Sequence, residues 1–298
     1  MQHDITILTE ERYDRPSKID TYTQNILLED RLISEALQKH GLRVQRRNWA
    51  DPEVDWSSTS AALFRTTWDY FDKFNHFKSW LDQTSRLTRF INPLETIRWN
   101  MDKHYLLDLK ELGINIPPTT IIPRNSGKSL QEWAQESGWN DLVLKPTIAG
   151  TARHTYRLDY EHIQQHEALF AELNTGEDFM IQPFMKNVVV KGEVSMVMIG
   201  GHFSHAILKK AKKGDFRVQD DFGGSLHHYV PGREEIRFAE ACIEACSPKP
   251  HYARVDMIWD NDGNPAVGEL ELIEPELWFR KNEFAADVLA AEIVKHYF

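Results

Sequence analysis

The sequence predicts an α/β layer followed by an α+β remainder. From Asp4 to Leu81, short apolar runs alternate with helix-spaced segments, the pattern of a parallel sheet covered by helices. Beyond Pro93 the texture changes to short strands and hairpin turns, with single helices between them. A chain of 298 residues is long enough for two or three domains, and these changes of texture divide it into 1–95, 96–183 and 184–298.

The elements follow in order. Asp4 to Leu8 reads as a strand. Asn25 to Lys39 carries Ile26, Leu27, Ile33 and Leu37 at helical spacing and stops at Gly41. Leu42 to Trp49 and Ala61 to Phe64 read as strands and Phe71 to Leu81 as a helix. No G-x-G-x-x-G follows any of these strands, so a dinucleotide fingerprint is absent. After a junction at Phe90-Ile-Asn-Pro93, Trp99 to Leu112 reads as one helix closed by Gly113. Strands are expected at Thr119 to Ile122, Leu142 to Lys145, His154 to Leu158 and Phe179 to Gln182. Val188 to Ile199 and His202 to Lys209 read as long strands joined by a Gly200-Gly201 hairpin turn. Helices at Tyr160 to Leu173, Arg233 to Cys246 and Phe284 to Tyr297 complete the set, with strands at Tyr252 to Trp259 and Pro265 to Ile273 around the turn Asp260-Asn-Asp-Gly263.

Bulk properties exclude several classes. A net charge of −10 argues against nonspecific nucleic-acid binding and against an anionic membrane surface. The N-terminus lacks the basic segment and apolar core of a signal peptide, and no apolar run approaches the roughly 18 residues of a membrane span. Cys242 and Cys246, the chain's 2 cysteines, lie four apart in an expected helix and read as small buried hydrophobes in a reducing cytoplasm.

The residues that point to chemistry lie near the C-terminus. On a strand Glu269 and Glu271 share a face, and a hairpin brings Asp256 beside them. Three carboxylates on one face repel unless a divalent cation neutralises them, and hard oxygen ligands together with nucleotide phosphates suit Mg2+. The plainer alternative is three solvated acids. A Walker A loop is absent, because Ile122 stands where Gly127-Lys-Ser129 would need a preceding glycine. Lys145 instead ends an apolar strand before the small-residue loop Thr147-Ile-Ala-Gly150-Thr151, which suits phosphate binding by a point charge and backbone N–H groups. Lys103 stands at the start of its helix, where anions are favoured. Gln182-Pro183-Phe184-Met185 breaks an apolar strand and frees backbone groups for a purine edge. Arg217 and Gln219, before Gly223-Gly224, suit a mobile anion clamp.

From Ile91 onward these motifs, in this order, resemble the ATP-grasp superfamily. The likeness is to the bacterial glutathione synthetase and ribosomal-protein glutamate ligase branch, and especially to the cycloserine-forming ligase type. Thr66-Thr-Trp68-Asp69-Tyr70, Asn92-Pro93 and Trp99-Asn-x-Asp-Lys103 extend it into the N-terminal region. The resemblance implies a Rossmann-like first domain, a small lid and a C-terminal α+β subdomain, with ATP and Mg2+ (or Mn2+) as cofactors. It implies that Lys103, Lys145 and Lys209 meet the phosphates, that Gln182, Pro183, Phe184 and Met185 hold adenine, and that Glu193 holds the ribose. Asp256, Glu269 and Glu271 would then bind the metal, and Arg217 would stabilise an acyl phosphate and the tetrahedral species after it. Two departures stand out: Glu271 replaces the Asn common in the glutathione synthetase branch, and Glu274-Pro275 replaces Ser-Pro.

The expected activity is ATP-dependent joining of a carboxylate to an amine on a small amino-acid-like substrate, with ring closure as one variant. Arg65, Trp68, Asp69 and Gln219 are the candidate substrate contacts. His202, His205, His227 and His228 are candidate bases among which the sequence does not choose. A homodimer with no nucleic-acid or membrane partner is the expected assembly. The rival readings are a small-molecule kinase on the same fold and a non-catalytic nucleotide sensor.

Overall fold

In the computed structural model, which describes residues 2–212, 214–218 and 223–298, three sheets carry the architecture. β1 (His3–Thr9) leads through α1 (Glu11–Asp14) and α2 (Thr21–Lys39) to β2 (Val44–Asn48), and β3 (Thr59–Thr66) leads through α3 (Phe74–Thr84) to β4 (Arg89–Ile91). These strands form a four-stranded parallel sheet of order β2-β1-β3-β4. Two short helices follow, α4 (Leu94–Asn100) and α5 (Tyr105–Glu111). The second sheet, ordered β5-β8-β6-β7, is antiparallel. Along the chain it comprises β5 (Thr120–Ile122), α6 (Leu130–Ser137), β6 (Asp141–Pro146), β7 (Tyr156–Asp159), α7 (Glu167–Leu173) and β8 (Phe179–Pro183). After α8 (Lys186–Val190) come β9 (Glu193–Ile199), β10 (His202–Lys210), β11 (Ser225–Tyr229), α9 (Arg233–Glu244), β12 (Tyr252–Trp259), β13 (Pro265–Glu271) and α10 (Phe284–Tyr297). The third sheet is antiparallel in the order β11-β10-β9-β12-β13.

Strand alternation explains how the first sheet is covered. Ile5, Ile7, Ala61 and Leu63 point to one face and pack with Ile33 and Leu37 of α2 and with Leu289 and Ile293 of α10. Leu8, Ala62 and Phe64 point to the other, against Phe77, Trp80 and Leu81 of α3. Thus α10, from the C-terminal end of the chain, completes the core of the N-terminal sheet. The third sheet buries Val194, Met196, Val255 and Met257 against α5 and α9, with Cys242 and Cys246 as free, buried thiols in that core. Burial pushes the Cys246 thiol up to about 12. The second sheet has its own core, from Leu142, Leu144, Phe179 and Ile181 with Leu130 and Phe170.

The helix expected over Trp99 to Leu112 is instead α4 and α5 with a break between them. Asn100 turns inward, its amide donating to Leu270 O and accepting from Leu272 N, both at 2.8 Å. The Lys103 N–H leaves the helical pattern for Thr147 O at 2.8 Å. The long strand expected from Val188 begins only at Glu193; the preceding residues form α8, which turns out through Gly192 at φ +96°. Tyr160 to His166 is a 3-10 segment before α7, and α3 starts at Phe74 rather than Phe71. Among the described residues no helix is long and apolar enough to cross a membrane.

Candidate functional site

Cross-strand register assembles a charged cleft on one face of the third sheet. Lys209 on β10 lies opposite Glu193 on β9, and Ser195 lies opposite Asp256 on β12. Asp256 in turn lies opposite Glu269 on β13, and Arg254 opposite Glu271. Because alternate residues share a face, these side chains meet. The register between β12 and β13 depends on one extra residue: Met257 pairs with Val267 but Asp256 with Glu269, so Gly268 is bulged. Without that bulge Glu269 and Glu271 would point into the core. A Cβ at Gly268 would lie 3.3 Å from both Asp256 O and Ile258 Cγ2.

Each carboxylate of the triad has a cation beside it. Asp256, 2% exposed, lies 2.8 Å from Arg254 Nη2 and 3.2 Å from Lys209 Nζ, and Ser195 Oγ donates to it at 2.6 Å. Arg254 also reaches Glu271 at 2.5 Å, Lys103 reaches Glu269 at 3.1 Å, and Lys209 reaches Glu193 at 2.5 Å. The Trp278 ring lies 5.1 Å from the Arg254 guanidinium and 5.9 Å from Lys209 Nζ, walling this network off. Burial acts to raise Asp256, but Arg254 and Lys209 outweigh it and hold the carboxyl below its usual range. Burial pushes Glu271 well up, and the single guanidinium it shares does not reverse this. The three carboxylates each present an oxygen within 4.8 Å of the others, a hard donor set that fits Mg2+ or Mn2+.

The second sheet supplies the opposite wall. Lys145, at the end of β6, is pushed down to about 8, by burial first and then by the charge of Lys103, which outweigh the pull of Glu269 and Glu193. Lys103 Nζ donates to Ala149 O, tying it to the small-residue loop as well as to Glu269. That loop holds Thr151, Ala152 and His154 in the left-handed region, and Gly150 has Phe71 against the space a Cβ would take, at 2.6 Å. Gln182, Pro183, Phe184 and Met185 line the cleft. The Phe184 backbone is already engaged, its N–H by Asp141 O at 2.8 Å and its C=O by Asn261 Nδ2 at 3.0 Å. Its ring is stacked under the Arg157 guanidinium at 3.6 Å and edge-on to Phe216 at 5.9 Å. Any purine edge held by backbone therefore falls to its neighbours.

Of the expected substrate contacts, the structure brings Trp68 into the cleft but not Arg65 or Asp69. Arg65 is 2% exposed, donates to Pro275 O at 3.0 Å, and sits 3.9 Å from both Glu29 and Asp30 of α2. Asp69 accepts from Trp49 Nε1 and Lys73 Nζ, both at 2.7 Å, and precedes α3 by too much to cap it. Gln219 lies outside the described residues. Arg217 lines the cleft while held by Asp215 at 2.8 Å. His205 Nε2 donates to Leu277 O at 2.9 Å, burial pushes the imidazole down, and none of the four candidate histidines lines the cleft.

Residues given no site role from sequence complete the site, Glu274 among them, which the sequence marked only as a departure from Ser-Pro. Arg254 is the guanidinium at the carboxylate triad, and its signal was available: it stands two before Asp256 on a strand. Glu274, Glu276, Tyr22 and Trp278 line the cleft beside Trp68, whose indole donates to Glu274 O at 3.0 Å. Glu274 is pushed up to about 8, by burial and then by the charge of Glu269. This end of the cleft opens where β1 and β3 diverge to neighbours on opposite sides, the switch point at which open α/β sheets bind ligands.

Comparison with known proteins gives a consistent picture. Residues 5–92 match the family described as D-cycloserine synthetase DcsG, N-terminal domain. The cycloserine biosynthesis protein DcsG of Streptomyces lavendulae is 28% identical over 265 residues, 82% of this chain and 86% of that protein. The crystal structure of D-cycloserine synthetase DcsG superposes with a TM-score of 0.86 at 25% identity, covering 99% of this chain and 100% of the other. A D-alanine–D-alanine ligase from Bacillus anthracis complexed with ATP shares the fold, with a TM-score of 0.67 at 16% identity over 98% of this chain and 96% of that one.

Proposed function

We propose that this ATP-grasp protein, an ATP-dependent carbon–nitrogen ligase, activates the carboxylate of a small amino-acid-like substrate as an acyl phosphate and closes it onto an amine of the same molecule. The observation that carries this reading is the meeting, in one cleft, of a carboxylate triad, three lysines and a switch-point crevice that offers Trp68, Tyr22 and Glu274. The relatives named for cycloserine synthesis favour the intramolecular variant.

In this reading Lys103, Lys145 and Lys209 face the phosphates, and the Gln182 to Met185 hinge holds adenine. Glu193, anchored by Lys209, offers its second oxygen to the ribose. Asp256, Glu269 and Glu271 would hold Mg2+, which supplies charge neutralisation at the transferring phosphoryl group. The substrate carboxylate attacks the γ-phosphorus, the bond to the β-phosphate oxygen breaks, and ADP leaves. The amine then attacks the acyl carbon, phosphate departs, and the amine loses a proton. Arg254, held by Asp256 and Glu271, and Arg217 both line the cleft and supply the positive charge for the place where two anions must approach. Glu274 fits an ammonium group, which would restore the charge that burial opposes. Phe184 and Phe216 help exclude water that would hydrolyse the acyl phosphate.

The test is release of ADP and phosphate from Mg-ATP across amino acids and their derivatives, offered singly and in pairs, with Glu269→Ala as the blank and products followed by mass. A single substrate giving ADP, phosphate and a product lighter by one water establishes cyclisation. Dependence on two substrates replaces it with intermolecular ligation. ADP without phosphate and a heavier, phosphorylated product would establish a kinase, and ATP binding without turnover a sensor.

A further inference from the structure

At the other end of β12, three side chains that the reaction does not use converge. His251 immediately precedes the strand, and Glu292 and His296 stand one turn apart on α10. Five residues of extended chain separate His251 from Asp256, about 16 Å. Glu292 Oε1 lies 3.3 Å from His251 Nδ1 and 3.0 Å from His296 Nε2. One donor atom from each residue lies within 4.8 Å of the other two. The two imidazoles are 4.8 Å apart by ring centroid, and Tyr297 stands edge-on to His251 at 5.2 Å, closing one side.

We propose that His251, Glu292 and His296 form a binding site for a borderline divalent transition-metal ion, Zn2+ foremost, which clasps α10 to the end of the third sheet. Two imidazoles and one carboxylate are a donor set suited to Zn2+ and poorly suited to Mg2+. A tetrahedral ion with bonds of about 2.0–2.1 Å has donor–donor edges of about 3.3 Å. The two nitrogen–oxygen separations already match that edge closely, so small side-chain rotations complete the geometry.

The supports are fixed. His251 N donates to Asn92 Oδ1 at 2.7 Å, and His251 O accepts from Gly200 N at 2.8 Å. Gly200 also makes room for the carboxylate, since a Cβ there would lie 3.2 Å from Glu292 Cδ and Oε2. His251 and Glu292 are 16% and 18% exposed while His296 is 40% exposed, so one side stays open for water as a fourth ligand. A hydrogen-bonded clasp without metal is the competing account, and it predicts no metal dependence.

The test uses the full chain carrying Glu269→Ala, so that the cleft carboxylates do not compete, stripped with a chelator and dialysed. Calorimetric titration with Zn2+, repeated with Co2+ as an optical probe of tetrahedral coordination, is expected to give one ion per chain. His296→Ala and Glu292→Gln should each weaken binding by about tenfold or more, whereas His162→Ala, in the 3-10 segment before α7, should not. Zn2+ should raise the melting temperature of the parent protein and leave that of His296→Ala unmoved. His296 is exposed enough for that variant to fold, which its melt in the absence of metal checks. Absence of saturable binding, or equal affinity in His296→Ala, would overturn the proposal.

Discussion

Lys145 and Glu274 both line the cleft, each carrying a charge that burial opposes and a ligand would restore. Lys145 titrates near 8 in the free protein, so below that pH it meets ATP already charged; above it, binding must take up a proton. ATP affinity is therefore expected to fall as pH rises through 8, with proton uptake visible as a buffer-dependent binding enthalpy. Lys145→Arg should flatten the profile. Glu274→Gln removes the partner proposed for a substrate ammonium. A charge-assisted hydrogen bond of about 1.5–3 kcal/mol predicts a rise of about ten- to a hundredfold in KM for the amino-acid-like substrate. KM for ATP should stay within about twofold, and steady-state kinetics with each substrate varied in turn separate the two. Much of this site was legible, because strand alternation and hairpin spacing bring Asp256, Glu269 and Glu271 together without any knowledge of the fold. The same rule places Arg254 beside Asp256, and that signal passed unused. Arg65 was illegible for a different reason: the acids near it, Glu29 and Asp30, belong to α2, and only tertiary packing brings them into range.

Among elements, the bulge at Gly268 decides the chemistry. It changes which face of β13 carries the two glutamates, and it does so with one residue whose lack of a side chain lets the strand crowd Asp256 O. Deleting Gly268 should drive Glu269 and Glu271 toward the core occupied by Val267 and Leu270, or force the strand to break. ADP release is expected to fall to the level of the Glu269→Ala blank, with a melting temperature well below that of the parent. Gly268→Ala, which asks the neighbours to yield by a few tenths of an ångström, should be milder on both measures. Counting residues along a strand finds alternation but not a bulge, so the paired faces were predictable while the register that joins them was not. The expected helix from Trp99 failed on similar grounds, since Asn100 prefers backbone partners on and just beyond β13 that lie far away in sequence. No helix is expected at α6 from the sequence reading, although a local signal for it, the capping box of Ser129 and Glu132, stands in the chain.

The molecule as a whole is held together by an exchange of layers. The N-terminal sheet has α3 on one face, but its other face is finished by α10 together with α2. A segment ending near residue 92 should therefore lack part of its core. Produced alone, residues 1–92 are expected to show no cooperative thermal transition and to bind a hydrophobic dye, while the full chain melts cooperatively. Neither periodicity nor composition announces this arrangement, because the apolar stripe of α10 does not say which sheet it covers. The overlap also bears on how the chain is made. The first sheet emerges from the ribosome early, yet the helix that seals it follows about 200 residues later, and at about 5–20 residues per second the wait is roughly 10–40 s. During that interval Ile33, Leu37 and their neighbours stand exposed on a nascent chain, and a holding chaperone on that face would be the natural guard until synthesis delivers the cover.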